Sequence, residues 1–185
     1  MRQSTAMILV LATEMLLRLP AGAQAVVDSG AITGPNGATA TYNGTTTDSH
    51  GTFTHTGAIT GPGGKQVQVK GVTTDVNGTI DHSATYTGPG GRTETINSQG
   101  RYANGAWRNS GTFTGPAGKT SSFNGATTYN KGRFNHTGTV TGPAGRQARI
   151  LSQGTYSKGT WNGSTNVTGP GGKTRTYHGT GAIHR

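Results

Sequence analysis

Apolar residues in this chain come singly, at every second position, in runs bounded by glycine. In residues 120–141, "TSSFNGATTYNKGRFNHTGTVT", aromatic or aliphatic side chains alternate with Thr, Ser and Asn. A period of two places them on one face of a β-strand, and no stretch of the repeating region carries the 3.6-residue period of a helix. Two kinds of break separate the runs. Thr-Gly-Pro recurs at 33, 60, 87, 114, 141 and 168, always 27 residues apart, and an x-Gly pair recurs at Gly51, Gly78, Gly105, Gly132 and Gly159. A fixed period of this length marks a repeat architecture. It is not collagen, because glycine does not fall at every third position.

With the Thr of each Thr-Gly-Pro numbered column 1, large apolar residues occupy four columns. Column 10 holds Tyr42, Val69, Ile96, Phe123, Ile150 and Tyr177. Column 16 holds Tyr102, Tyr129, Tyr156 and Ile183, with Asp48 and Asp75 in the first two repeats. Column 21 holds Phe53, Ile80, Trp107, Phe134 and Trp161, and column 27 holds Ile59, Tyr86, Phe113, Val140 and Val167. Columns 18 and 19 read His-Gly, Asn-Gly, Asn-Gly, Lys-Gly and Lys-Gly, which suits a two-residue type I′ turn. That turn sets column 16 opposite 21 and column 10 opposite 27, so all four apolar columns share one face. In the hexads such as "TGPAGK" (114–119), Pro pre-sets the first corner of a type I turn and the following Gly takes the left-handed position.

Each repeat is thus a hairpin. The last one stops at Arg185 with a first strand only, while residues 26–32 map onto a second strand with none before it. Pairing the two ends, with Ile32 opposite Tyr177, Gly30 opposite Gly179 and Val26 opposite Ile183, removes both edge strands. The expected fold is all-β: an antiparallel up-and-down meander of six 27-residue hairpins, about 12 strands closed into a barrel or ring. Residues 1–25, with Arg2, the apolar run "AMILVLAT" (6–13) and Ala23-Gln24-Ala25, read as a secretory signal, and residues 26–185 as a single domain.

The spacing around "FNGATTYNKGRFNHTGTVTGPAGR" (123–146) resembles a lengthened MORN-type hairpin repeat, and the ring of hairpins is similar in layout to the β-flower architecture. These resemblances imply a layout and no particular activity.

Composition bears on partners. Of 185 residues, 33 are Gly, none is Cys, and 16 Lys and Arg face six Asp and Glu, a net charge of +10. Such a balance favours anionic partners, here an envelope glycan or lipid, or simply keeps the chain soluble. Column 6 is cationic in five repeats, Lys65, Arg92, Lys119, Arg146 and Lys173, which crowns one rim as an anion-binding candidate. If the apolar face points inward, Trp107, Trp161, Tyr102, Tyr129, Tyr156, Phe53 and Phe134 border a cavity for an apolar or lipid-like ligand, or else form a self-filled core. If it points outward, the protein is an outer-membrane barrel. Nucleic acid is not expected, because the aromatics point away from the polar face.

Two clusters invite a chemical reading beside a structural one. His55, His82 and His136 share column 23, about 10 Å apart by strand spacing, too far for one zinc ion. Asp48 and Asp75 form a carboxylate pair that the hairpin register brings near His55 and His82, or mere repeat drift. The Thr-rich outer face reads as exposed strand formers. The sequence therefore points to a secreted, non-enzymatic binding protein of the periplasm, cell surface or extracellular space, with no cofactor, metal or catalytic set. The alternative is an outer-membrane barrel or an extracellular matrix component.

Overall fold

The structure, a computed structural model, describes residues 25–184; the leader expected over residues 1–25 lies, but for Ala25, outside them. Twelve strands run in chain order: β1 (Ala25–Thr33), β2 (Thr39–Ser49), β3 (Thr52–Thr60), β4 (Gln66–Val76), β5 (Thr79–Thr87), β6 (Thr93–Ala103), β7 (Ala106–Thr114), β8 (Thr120–Asn130), β9 (Arg133–Thr141), β10 (Gln147–Ser157), β11 (Thr160–Thr168) and β12 (Thr174–His184). Every strand pairs antiparallel with its neighbours in sequence, and β1 pairs with β12 to close the barrel.

Both turn types have the expected chemistry. His50, Asn77, Asn104, Lys131 and Lys158 have φ between 45° and 53°, and each is followed by a glycine of positive φ, which is the type I′ geometry. At the other end Gly34 N–H donates to Ala38 O at 2.9 Å and Gly37 N–H to Gly34 O at 3.0 Å, a β-turn with Pro35 at its first corner, and the same pair of bonds recurs in all six hexads. Lysine gains nothing from a left-handed backbone that asparagine tolerates. Lys131→Asn should therefore raise stability by about 0.5–1 kcal/mol, read as a higher melting temperature, whereas Asn104→Lys should lower it by a similar amount.

The hairpin register is the one the columns require. Tyr42 faces Ile59, Asp48 faces Phe53 and Gly44 faces Gly57, and the same columns meet in β6–β7, β8–β9 and β10–β11. The seam differs from the expected pairing by two residues. Ile32 lies opposite Gly179 rather than Tyr177, Gly30 opposite Gly181 rather than Gly179, and Asp28, not Val26, opposite Ile183. A slip of two keeps every side chain on its own face, so the alternation that fixes the face does not forbid it. Either register sets Gly30 opposite a glycine; in the one adopted Gly30 faces Gly181, Gly179 faces Ile32, and aromatic rings cover Gly30 and Gly181. The Tyr42 ring lies on Gly30 and the Trp161 indole on Gly181.

The slip also sets the barrel's shape. Crossing an internal hairpin, as from Thr46 through His55 to Gly71, moves two residues along the strand; crossing the seam, from Gly181 through Gly30 to Tyr42, moves four. Five steps of two and one of four make a shear of fourteen. With twelve strands this corresponds to a tilt of about 40° and a backbone diameter of roughly 23 Å.

The apolar face points inward. Val26, Ile32, Tyr42, Tyr86, Ile96, Phe113, Phe134, Val140 and Ile150 are buried, and all belong to the four apolar columns or their counterparts in β1. The outer wall is mostly Thr, Ser, Asn, Gln and Arg, whereas an outer-membrane barrel presents an apolar band to lipid.

Candidate functional site

The interior is layered along the barrel axis. At the Thr-Gly-Pro end Ala84, Tyr86 and Ile96 pack with Ile59, Val67, Val69 and Phe123, and Ile59, Val167 and Tyr177 pack against Ile32. Ile59 thus links side chains on both sides of the seam into one apolar floor. At the x-Gly end the inward column opens to solvent: Tyr102 and Tyr129 are 53% exposed and Tyr156 is 38% exposed. These three tyrosines form a lip. Below them Trp107 lies against Gly100, Trp161 against Gly179 and Gly181, and Phe134 against Gly154 and Gly163. Each ring fits because the neighbouring strand offers a residue without a side chain, which is why the middle columns are rich in glycine. Phe53 is half-buried in the same layer.

Of the candidate ligand-facing residues, the structure therefore places Tyr102, Tyr129 and Tyr156 at the open lip. Trp107, Trp161 and Phe134 are folded back along the wall. Beneath them is a cavity of about 40 Å³ lined by Asp28, Tyr42, Thr46, His55, Ile59, Val69 and Tyr86. That volume holds a water or two and is far below a cavity of roughly 300 Å³ for a drug-sized ligand. Burial pushes the Tyr42 hydroxyl up to about 12, with the nearby Asp28 carboxylate adding to the effect and the Trp161 indole opposing it. Neither Tyr42 Oη nor Trp161 Nε1 reaches a partner at hydrogen-bonding geometry. Asp28, half-buried, is itself raised by desolvation, partly countered by a backbone hydrogen bond.

The middle layer holds a hydrogen-bonded chain that the sequence reading missed. Thr46 Oγ1 meets His55 Nδ1 at 2.7 Å, His55 Nε2 meets Thr73 Oγ1 at 3.0 Å, and Thr73 Oγ1 meets His82 Nδ1 at 2.8 Å. The chain crosses β2, β3, β4 and β5, and Thr127–His136 repeats its first link at 2.9 Å across β8 and β9. A signal for it stands in the columns. Wherever column 23 is His, column 14 opposite is Thr; where column 14 is Gly, at Gly100, Gly154 and Gly181, column 23 or its β1 counterpart is Asn109, Gly163 or Asp28. Burial holds His55 below the usual histidine range and lowers His82 and His136 to about 4, with His55 adding to the shift at His82.

The carboxylates do not join this chain. Asp48 Oδ1 accepts from the Gly51 N–H at 3.1 Å and Asp75 Oδ1 from the Gly78 N–H at 3.0 Å, so each aspartate caps its own hairpin turn. The carboxylate–histidine cluster weighed from the sequence is thus two separate arrangements, turn caps at the rim and a Thr–His chain in the wall. The described residues contain no group of three or more His, Asp or Glu that could hold a metal ion.

Lys65, Arg92, Lys119, Arg146 and Lys173 are all exposed on the Thr-Gly-Pro rim. Lys131 and Lys158 are exposed on the opposite rim. No family model matches the chain, and neither does any curated protein compared with it.

Proposed function

We propose that the protein is a non-enzymatic β-barrel of the cell envelope or extracellular space that takes an apolar or lipid-like ligand at its tyrosine-lipped end and turns cationic rims toward anionic surfaces. The observation that supports this reading is the contrast along one inward face. Its apolar side chains are buried at the Thr-Gly-Pro end, Ile96 at 1% and Tyr86 at 3%, while the tyrosines of column 16 stand open at the other. Tyrosine rings at an open mouth offer apolar area with a hydroxyl that stays in water, which suits an amphipathic guest. Secretion rests on the leader pattern of residues 1–25.

The neutral fluorophore N-phenyl-1-naphthylamine tests the reading, since it carries no charge for the rims to attract. Saturable enhancement is expected, with quenching of Trp107 and Trp161, the chain's two tryptophans. Tyr102→Asp with Tyr129→Asp should weaken uptake by about fivefold or more, because charged groups replace the apolar lip. No saturable signal, together with native mass spectra free of co-purified lipid, would sink the reading.

A further inference from the structure

The cations are not spread evenly around the barrel. Residues 95–185 contain eleven Lys and Arg and not one Asp or Glu, whereas residues 25–94 contain three cations (Lys65, Lys70, Arg92) and five acids (Asp28, Asp48, Asp75, Asp81, Glu94), a balance of −2. In the closed strand order β7 to β12 are consecutive, so they form one contiguous half of the wall. All the acids of the described residues fall on the other half, Asp81 on the outer wall and Asp28, Asp48, Asp75 and Glu94 at inward positions of the alternation. Arg101 and Arg108 lie directly opposite each other across β6 and β7, at the edge of the cationic half. Like charges set face to face cost stability, so this pair is not explained by folding. Arg108, Arg133 and Arg149 are exposed in positions of the alternation opposite to the buried columns, hence on the outer wall, and Lys119, Arg146, Lys173, Lys131 and Lys158 extend the charge to both rims. Six strands at about 4.8 Å and nine residues at about 3.3 Å make a wall of roughly 29 by 30 Å, so the charge is dense as well as one-signed.

We infer that the β7–β12 half-wall is a docking surface for a linear acidic polysaccharide, a polymer carrying carboxylate or sulfate groups. This deepens the binding reading above by naming what the cations meet. Three features select the polysaccharide. The wall is convex, so a flat bilayer touches only a narrow stripe of it, while a flexible chain follows the curve. Among the described residues it has no cluster of apolar anchors of the kind that membrane-surface binding requires: Leu151 is the one outward large apolar side chain exposed on this half, whereas Val27, Val72 and Val76 are exposed on the other. Its remaining groups are hydroxyls and amides, such as Ser122, Asn124, Thr137, Thr139 and Gln153, which donate to and accept from sugar hydroxyls. Among the described residues no large aromatic faces outward there to stack on a nucleic-acid base.

The test uses the mature chain and polygalacturonate, with neutral dextran, phosphatidylglycerol vesicles and duplex DNA as alternatives, and follows N-phenyl-1-naphthylamine uptake on the same samples. Polygalacturonate should bind, dextran should not, and raising NaCl from 50 to 200 mM should weaken binding at least tenfold. The combined variant Arg108→Gln, Arg133→Gln, Arg149→Gln, Lys158→Gln should lose at least tenfold. The control variant Lys70→Gln should change by less than about twofold, since Lys70 is exposed on β4, outside the cationic half and outside the rim. Equal losses in the two variants, no binding of polygalacturonate, or tighter capture by vesicles or DNA would each overturn the inference. Lost polymer binding with intact fluorophore uptake sinks this inference alone; lost fluorophore uptake with intact polymer binding sinks only the lip reading.

Discussion

Lowering the pH from 7 to 4.5 should strip several kcal/mol from the stability of this barrel, although its net charge and its surface give no hint of it. His82 and His136 are depressed to about 4 by burial, and His55 is depressed as well. In the unfolded chain each histidine takes a proton near pH 6.5. Between 6.5 and 4 the unfolded state therefore binds protons that the native state refuses, and stability falls as the pH falls. Each of the two most shifted histidines contributes on the order of 3 kcal/mol across that window. The geometry enforces the effect. The single hydroxyl of Thr73 lies between His55 and His82, whose ring centroids are 5.9 Å apart, so charging both sets two cations across one buried oxygen. Asp28 and Glu94, both raised by desolvation, act in the opposite sense. Their protonation in the native state restores stability as the pH falls through their own raised values, a partial offset. Urea denaturation at pH 7, 5.5 and 4.5 reads the slope. His82→Asn with His136→Asn should be less stable at pH 7 but lose much less over this range, His55 keeping part of the slope, whereas a wild-type midpoint unchanged from pH 7 to 4.5 would refute the argument.

Gly181→Val should be among the most damaging single substitutions in the chain, with a loss of about 3 kcal/mol or more. A Cβ there meets the Trp161 indole and approaches the Ser29 carbonyl of the opposite strand at 2.9 Å. The indole can swing away, but the backbone oxygen belongs to the seam and cannot move without opening it. Gly63→Val provides the control, since nothing lies within 4 Å of a Cβ there and its φ is not positive. It should shift the denaturation midpoint by no more than about 0.5 kcal/mol. Trp161→Ala alone uncovers Gly179 and Gly181 and should cost about 3 kcal/mol. In the Gly181→Val background it should cost much less, because the clash it relieves offsets the lost packing. Additive costs would mean that the indole does not rest on the seam.

How much of this stood in the sequence depends on the scale. Strand periodicity, both turns and the face of every side chain follow from local rules repeated six times, and repetition made them readable. Asn104-Gly105 and Pro116 each specify their own turn without reference to the rest of the chain. The seam is different in kind. Closure was legible because the final repeat lacks the strand that residues 26–32 supply, but its register was not. Alternation fixes parity and leaves slips of two to be decided by packing, here by Tyr42 and Trp161, which come from opposite sides of the joint. The Thr–His chain was missed for a related reason. Histidines in one column invite a comparison down the column, which gives about 10 Å between them, whereas the informative comparison was across the hairpin to column 14. The Asp48 and Asp75 caps were misplaced because a carboxylate three residues before a glycine satisfies its own turn before it reaches any neighbour.

The seam has a consequence for how the chain reaches its final form. Eleven of the twelve strand pairings join neighbours along the chain and can form as soon as each hairpin is made, while β1 and β12 must find each other across nearly the whole sequence. Until they do, the molecule is an open ribbon whose two edges are complementary. The edges of a second ribbon fit them equally well, because the pairing is written in the strands and not in the connection between them. Ring closure within one chain and end-to-end joining of two chains are thus competing reactions, first and second order in protein. Dilute refolding favours the twelve-stranded monomer, and concentrated refolding favours larger rings held by the same hydrogen bonds.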